Sequence, residues 1–202
     1  MTSLSHRASG LRAGTLALIG ACGLALAGCS GETPATDATG AAVLAEPASD
    51  PVPELLDDTD GMETVSDALK DTGLAGIFEG NASYTLLAPD DASFAALGEG
   101  GEALTDGEDE AAMAALLKQH LLPGYLMPRD IEGAIERSDE GSVTITSLAG
   151  EDLTFRRNGD AITVTSPDGA QATFKGEALA GGASVAIPLS GLLRKVQGAS
   201  AP

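Results

Sequence analysis

The chain has no tryptophan, two tyrosines, two histidines and two cysteines. With Tyr84 and Tyr125 as its tyrosines, it is poorly supplied with flat faces on which sugars or bases could stack. Basic residues are also scarce: 11 Lys and Arg stand against 30 Asp and Glu, for a net charge of −19. A strongly acidic chain argues against nucleic acid, whose phosphates reward Lys/Arg patches, and against electrostatic docking on anionic lipid. High solubility accounts for the charge without any partner. His6, His120, Cys22 and Cys29 are too few and too scattered for a zinc site, so no metal and no cofactor is expected. A Gly-x-Ser-x-Gly elbow to hold a nucleophilic serine is missing too.

The apolar run Ala13–Ala27 is short and Gly-rich, below the roughly 20 apolar residues that a spanning helix needs. It follows a start carrying His6, Arg7 and Arg12 and no acid. A basic start and a short apolar core read as a secretory signal. The run closes on Leu26-Ala27-Gly28-Cys29, which resembles the lipobox of bacterial lipoproteins. Small Ala27 and Gly28 let a peptidase approach the backbone, and a thiol supplies the nucleophile for lipid transfer. The resemblance implies a signal peptide over 1–28, and Cys29 as the lipidated new N-terminus, diacylated and N-acylated. Each buried methylene contributes about 0.8 kcal/mol and stable anchoring takes about two acyl chains, so such a cysteine is anchored to a membrane without spanning it. Cys22 leaves with the signal, so the mature chain has no internal disulfide and its stability rests on a core. Ser30 after the cysteine, rather than an Asp, points to outer-membrane sorting within a bacterial envelope.

Residues 29–60, rich in Pro, Ala, Thr, Asp and Glu, read as a flexible acidic tether, 61–197 as one domain, and 198–202 as a disordered tail. In the domain, Thr64-Val65-Ser66-Asp67 has the form of a capping box ahead of Ala68 and Leu69, with Gly73 as the stop. Leu74, Ile77 and Phe78 mark a second short helical turn. Ser83–Ala88 suits a buried strand, and Asp90 or Asp91 can cap the turn that contains Phe94 and Leu97. Gly98–Glu110 reads as a surface loop. Met113, Leu116, Leu117, His120 and Leu121 form one helical face, ended by Pro123-Gly124, and Pro128 opens another helix, 128–137. From Ser142 the period becomes two: Val143/Ile145, Leu153/Phe155 and Ile162/Val164, with turns at Asn158-Gly159 and Ser166–Gly169. A short strand around Ala172–Phe174 and a last one at Ala183–Ile187 complete the pattern. Short helices first and antiparallel strands second define an α+β class.

Tyr84-Thr85-Leu86-Leu87-Ala88-Pro89-Asp90-Asp91-Ala92-Ser93-Phe94 resembles the opening block of fasciclin domains, an apolar strand followed by Ala-Pro-Thr/Asn-Asp-x-Ala-Phe or a close variant. Leu116–Gly124 resembles the family's Leu-x-x-His-x-x-x-Gly stretch, and Ser147–Leu153 its Thr-x-x-Gly-x-x-Leu hairpin. The family-motif positions are Thr85, Pro89, Asp91, Phe94, His120 and Gly124. One block departs: where the family places a histidine and an aspartate before its last strand, this chain has Val185 and Pro188. The resemblance implies a fasciclin-like fold over about 64–196 and a non-catalytic module for adhesion or protein–protein contact. Its expected associations are the membrane, through Cys29, and an envelope or extracellular protein, with the domain facing the periplasm or the cell surface.

His120 is the mature chain's sole histidine and falls on an apolar helix face, the setting of a hydrogen-bonded core residue; an envelope hydrolase or small-ligand-binding protein using His120 is the competing reading. Asp90 and Asp91 are expected to cap helices rather than to work as paired carboxylates. Asp106, Glu108, Asp109 and Glu110 lack the alternating pattern of a calcium loop and read as solvated. Arg156-Arg157 reads as flanking its hairpin turn.

Overall fold

The computed structural model describes residues 48–195. The signal 1–28, Cys29 and the tail 198–202 lie outside them. No helix among the described residues is long and apolar enough to cross a membrane.

The first helix falls where a tether was expected. Val52, Leu55 and Leu56 recur at i, i+3 and i+4 in α1 (Val52–Asp57), with Pro53 in the first turn, where a proline removes no helical hydrogen bond. Val52 and Leu56 are fully buried. Just before it, Ala48 N–H donates to the Ala180 carbonyl at 2.9 Å and the Ala48 carbonyl accepts from Gly182 N–H at 3.1 Å. A Cβ on Gly181 would lie 2.4 Å from the Asp50 carbonyl oxygen, so glycine is what lets this segment approach. The folded domain therefore takes in 48–60 as well. One apolar stripe of two turns, buried in a Pro- and Asp-rich stretch, outweighs the composition around it.

α2 (Glu63–Asp71) begins at Glu63 rather than after a Thr64 cap, and its flanking Met62 gives no side-chain cap. Thr64 N–H is instead satisfied by Asp91 Oδ1 at 2.9 Å, a carboxylate from 27 residues further on. A 3₁₀ turn (Leu74–Glu79) follows, set off by Gly73 at φ +69°. β1 (Tyr84–Pro89) then leads into α3 (Asp91–Ala95), where Asp90 accepts from Ser93 N–H as the expected cap. The expected Gly98–Glu110 loop contains α4 (Glu99–Thr105), and Asp109 caps α5 (Glu110–Gln119). A Cβ on Gly101 would meet the Phe94 carbonyl at 2.3 Å, so one of the glycines that suggested a loop serves close packing of this short helix. α5 stops at Gln119, and Leu121–Pro123 leaves the helix as β2, pairing with Tyr84–Leu86. Sheet pairing claims these residues although their apolar spacing continues the helical face. α6 (Pro128–Arg137) starts with Pro128 as expected, its Asp130 carboxylate accepting from Met127 N–H.

β3 (Ser142–Thr146), β4 (Asp152–Asn158), β5 (Ala161–Thr165) and β6 (Gln171–Thr173) form an antiparallel meander in sequence order. Leu153, Phe155, Ile162 and Val164 face inward, while Thr144, Arg156 and Gln171 alternate outward. β7 (Leu179–Gly181) and β8 (Ser184–Leu189) complete the other sheet, ordered β2-β1-β8-β7. There β1 and β8 run parallel, from Thr85 opposite Val185 to Pro89 opposite Leu189, so this sheet is mixed and the α+β class is antiparallel-rich rather than wholly antiparallel.

The mixed sheet is covered on both faces, which explains why β1 and β8 read as unbroken apolar runs. On one side Leu86, Ala88 and Ala186 meet Val52, Leu56, Val65, Leu69, Leu116 and Leu117. On the other, Leu87, Val185, Ile187 and Leu189 meet Ile131, Ile135, Leu153, Phe155 and Val164.

Candidate functional site

The motif residues gather around β1, and each is used inside the framework. Thr85 is fully buried; its hydroxyl donates to the Gly124 carbonyl at 2.8 Å and accepts from Leu126 N–H at 2.9 Å, fastening the loop after β2. Gly124 takes φ +97°, a conformation that side chains rarely adopt. Pro89 ends β1, where its missing N–H costs no ladder bond. Phe94 is buried in the helical core. Asp91 holds the start of α2. Burial pushes its carboxyl up, but the hydrogen bonding at the start of α2, including that from Thr64 N–H, outweighs this and keeps it below the ordinary carboxylate range.

His120 lies directly after α5 and is wholly buried. Its Nδ1–H donates to the Leu116 carbonyl at 2.8 Å, and Nε2 accepts from Leu193 N–H at 3.0 Å. Only the neutral ring with its proton on Nδ1 satisfies both bonds. Burial lowers its pKa to about 4, against a small opposing effect of the Leu116 carbonyl. Gln119 completes the arrangement: its Nε2 donates to the Leu193 carbonyl at 2.6 Å. Two consecutive side chains thus satisfy both backbone groups of one residue more than 70 positions away. Both ring nitrogens of His120 bond main chain, so neither is left to activate a hydroxyl or hold a ligand. The imidazole-based hydrolase reading has no geometry here.

A second polar cluster sits at the rim. Asp90 Oδ1 accepts from both Ser93 N–H and Ser93 Oγ, while Oδ2 binds Lys175 Nζ at 2.6 Å. Burial raises the Asp90 carboxyl, but the bonds from Lys175 and Ser93 win and hold it below its usual value. Lys175 is placed by its own N–H, which donates to the Pro188 carbonyl. The pair borders a groove of about 450 Å³ lined also by Met62, Ala92, Leu179 and Pro188. Sequence reasoning found Asp90 as a cap but missed Lys175, 85 residues away, for which no local signal exists.

The remaining charged candidates divide. Arg157 bonds Glu132 at 2.7 Å and Glu136 at 3.1 Å on α6, so its acidic partners lie within the chain, while Arg156 is exposed. Asp109 caps a helix, and the described residues contain no group of three or more His, Cys, Asp or Glu placed to hold a metal ion. Another recess of about 190 Å³, between α2 and α5, carries Glu63, Asp67, Asp71 and Glu110. Val185 and Pro188, at the places of the absent histidine and aspartate, lie in β8, with Val185 fully buried opposite Thr85.

The model of one protein family, the fasciclin domain, matches residues 60–180. Among solved structures, a FAS1 domain pair from the insect cell-adhesion molecule fasciclin I is similar at 13% identity with a TM-score of 0.62. The match covers 73% of this chain and 52% of that one, so this chain spans about half the length of the pair, and at that identity the likeness is one of fold. No curated protein matches the chain.

Proposed function

The chain belongs to the fasciclin domain family, and from that membership we propose that it is a lipid-anchored protein of a bacterial envelope whose domain makes adhesive or protein–protein contacts without catalysis. The observation that carries the reading is the use made of the motif residues. Thr85, Asp91, Phe94, His120 and Gly124 build the scaffold, which leaves recognition to the surface. Among large apolar side chains of the described residues, only Tyr125 and Leu148 are exposed, at 36% and 41%. So sparse an apolar surface suits reversible contact through polar and charged groups better than a permanent greasy interface. The anchor reading rests on the lipobox-like Leu26–Cys29.

Two measurements test it. Mass spectrometry of protein from its native envelope is expected to find an N-terminal peptide that starts at an acylated Cys29; a different first residue, or no lipid, overturns the anchor. Cross-linking in intact cells is expected to give a discrete heteromeric or homomeric adduct that competes with added soluble domain. Turnover of a substrate by the purified protein that is lost when groove-lining residues such as Lys175 are substituted would replace the adhesive reading.

A further inference from the structure

Asparagine is rare here, occurring at positions 81 and 158 alone. Asn81 stands in Glu79-Gly80-Asn81-Ala82-Ser83, an Asn-x-Ser acceptor pattern with a carboxylate two residues before the asparagine. The segment links the 3₁₀ turn to β1, with Gly80 extended at φ −84°, ψ −178°. Glu79, Gly80, Asn81 and Ala82 are all exposed and Ser83 is half-buried. The backbone beyond is held firmly: the Ser83 carbonyl accepts from Gly124 N–H at 2.8 Å and Tyr84 N–H donates to Ser184 Oγ at 3.1 Å. The Asn81 amide and the Ser83 hydroxyl take no part in the hydrogen bonding of the described residues. Folding thus leaves the acceptor residue exposed and its helper hydroxyl without a protein partner among the described residues, on a loop pinned at one end.

We propose that Asn81 is an N-glycan acceptor, modified outside the cytoplasm by an oligosaccharyltransferase that recognises the Asn-x-Ser pattern through Ser83. The Asn81 amide nitrogen attacks the anomeric carbon of a polyprenyl-pyrophosphate-linked oligosaccharide. A C–N bond forms as the C–O bond to the pyrophosphate breaks; the polyprenyl pyrophosphate leaves, and one amide proton passes to the transferase. No oxidant or reductant takes part. Asn158, exposed at a hairpin end, has Asp160 where the hydroxyl is needed and serves as an internal control. The glycan stands over the end of the mixed sheet where Tyr84 pairs with Pro123. The inference rests on the export reading above, because the lipid-linked donor is consumed on the far side of the membrane.

Full-length protein purified from its native envelope is digested and two peptides are read together: the N-terminal one and the one spanning Glu79–Ser83. The expected result is a saccharide mass on Asn81, none on Asn158, loss of the mass in N81Q and S83A, and its retention in S83T. A bare Asn81 on chains that begin at lipidated Cys29 overturns the glycan while sparing the anchor. A glycan on Asn81 of chains without lipid does the reverse. Retention of the mass in S83A removes the acceptor mechanism.

Discussion

His120 and Asp90 each reach far along the chain, to Leu193 over 73 residues and to Lys175 over 85, yet one contact is dry and neutral and the other wet and charged. At Leu193 the donor and acceptor are backbone groups that cannot leave. A neutral imidazole and an amide satisfy them with no ion to desolvate. At the rim, the Lys175 side chain is 60% exposed, so its ammonium keeps most of its hydration and the pair adds modestly. The interior contact decides whether the C-terminal segment stays closed. The rim contact decides how a helix start and a loop are aligned beside a groove.

The sharpest way to break this contrast is H120A. It leaves Leu193 N–H unsatisfied and opens a void among Leu116, Leu121 and Leu193, for an expected loss of about 4 kcal/mol in urea unfolding. A loss below about 1 kcal/mol would make the two contacts equivalent. The next effect is in pH. Between the ordinary histidine value of 6.5 and about 4, the unfolded chain binds a proton at His120 and the folded one does not. Stability is therefore fully present above pH 6.5 and falls as pH drops toward 4, by about 3 kcal/mol over 2.5 units. Unfolding midpoints measured from pH 7 to pH 4 should show that slope in the native chain and lack it in a folded H120Q; a flat profile contradicts the buried neutral ring. Asp90, held low by its partners, adds its own loss only as pH falls further, through its depressed pKa.

D90A comes third. It removes the cap of α3 as well as the Lys175 contact, at about 1.5 kcal/mol. K175M should cost least, under about 1 kcal/mol, and the native chain's small advantage over it should fade in high salt. An effect of K175M equal to that of D90A would mean that the ion pair, rather than the cap, is what Asp90 contributes.

Legibility in the sequence divides by the range of the contacts. The meander β3–β5 and α6 were readable because period-two alternation and Pro128 are local facts, and the fasciclin-like blocks were recognisable because they lie in continuous runs. α1 was hidden by the prolines and acids around Val52, Leu55 and Leu56, and α4 by its glycines. β2 reads in the sequence as the end of α5 because Leu121 satisfies both periods and only pairing with β1 chooses between them. His120 could be placed in the core from its helical face, but Leu193 as its partner could not, since nothing near residue 120 encodes it. The same holds for Asp91, whose capping of α2 depends on how two separated segments meet.

The parallel pairing of β1 with β8 has a consequence in time. Thr85 lies opposite Val185, so the central strand pair joins residues a hundred positions apart, and closing so long a loop is slow. Until the last strand has emerged, β1 lacks one neighbour and Leu193 is not there to seat against His120. A growing chain thus lacks its central strand pair through most of its synthesis, and the sheet closes only when residues near 185 are available.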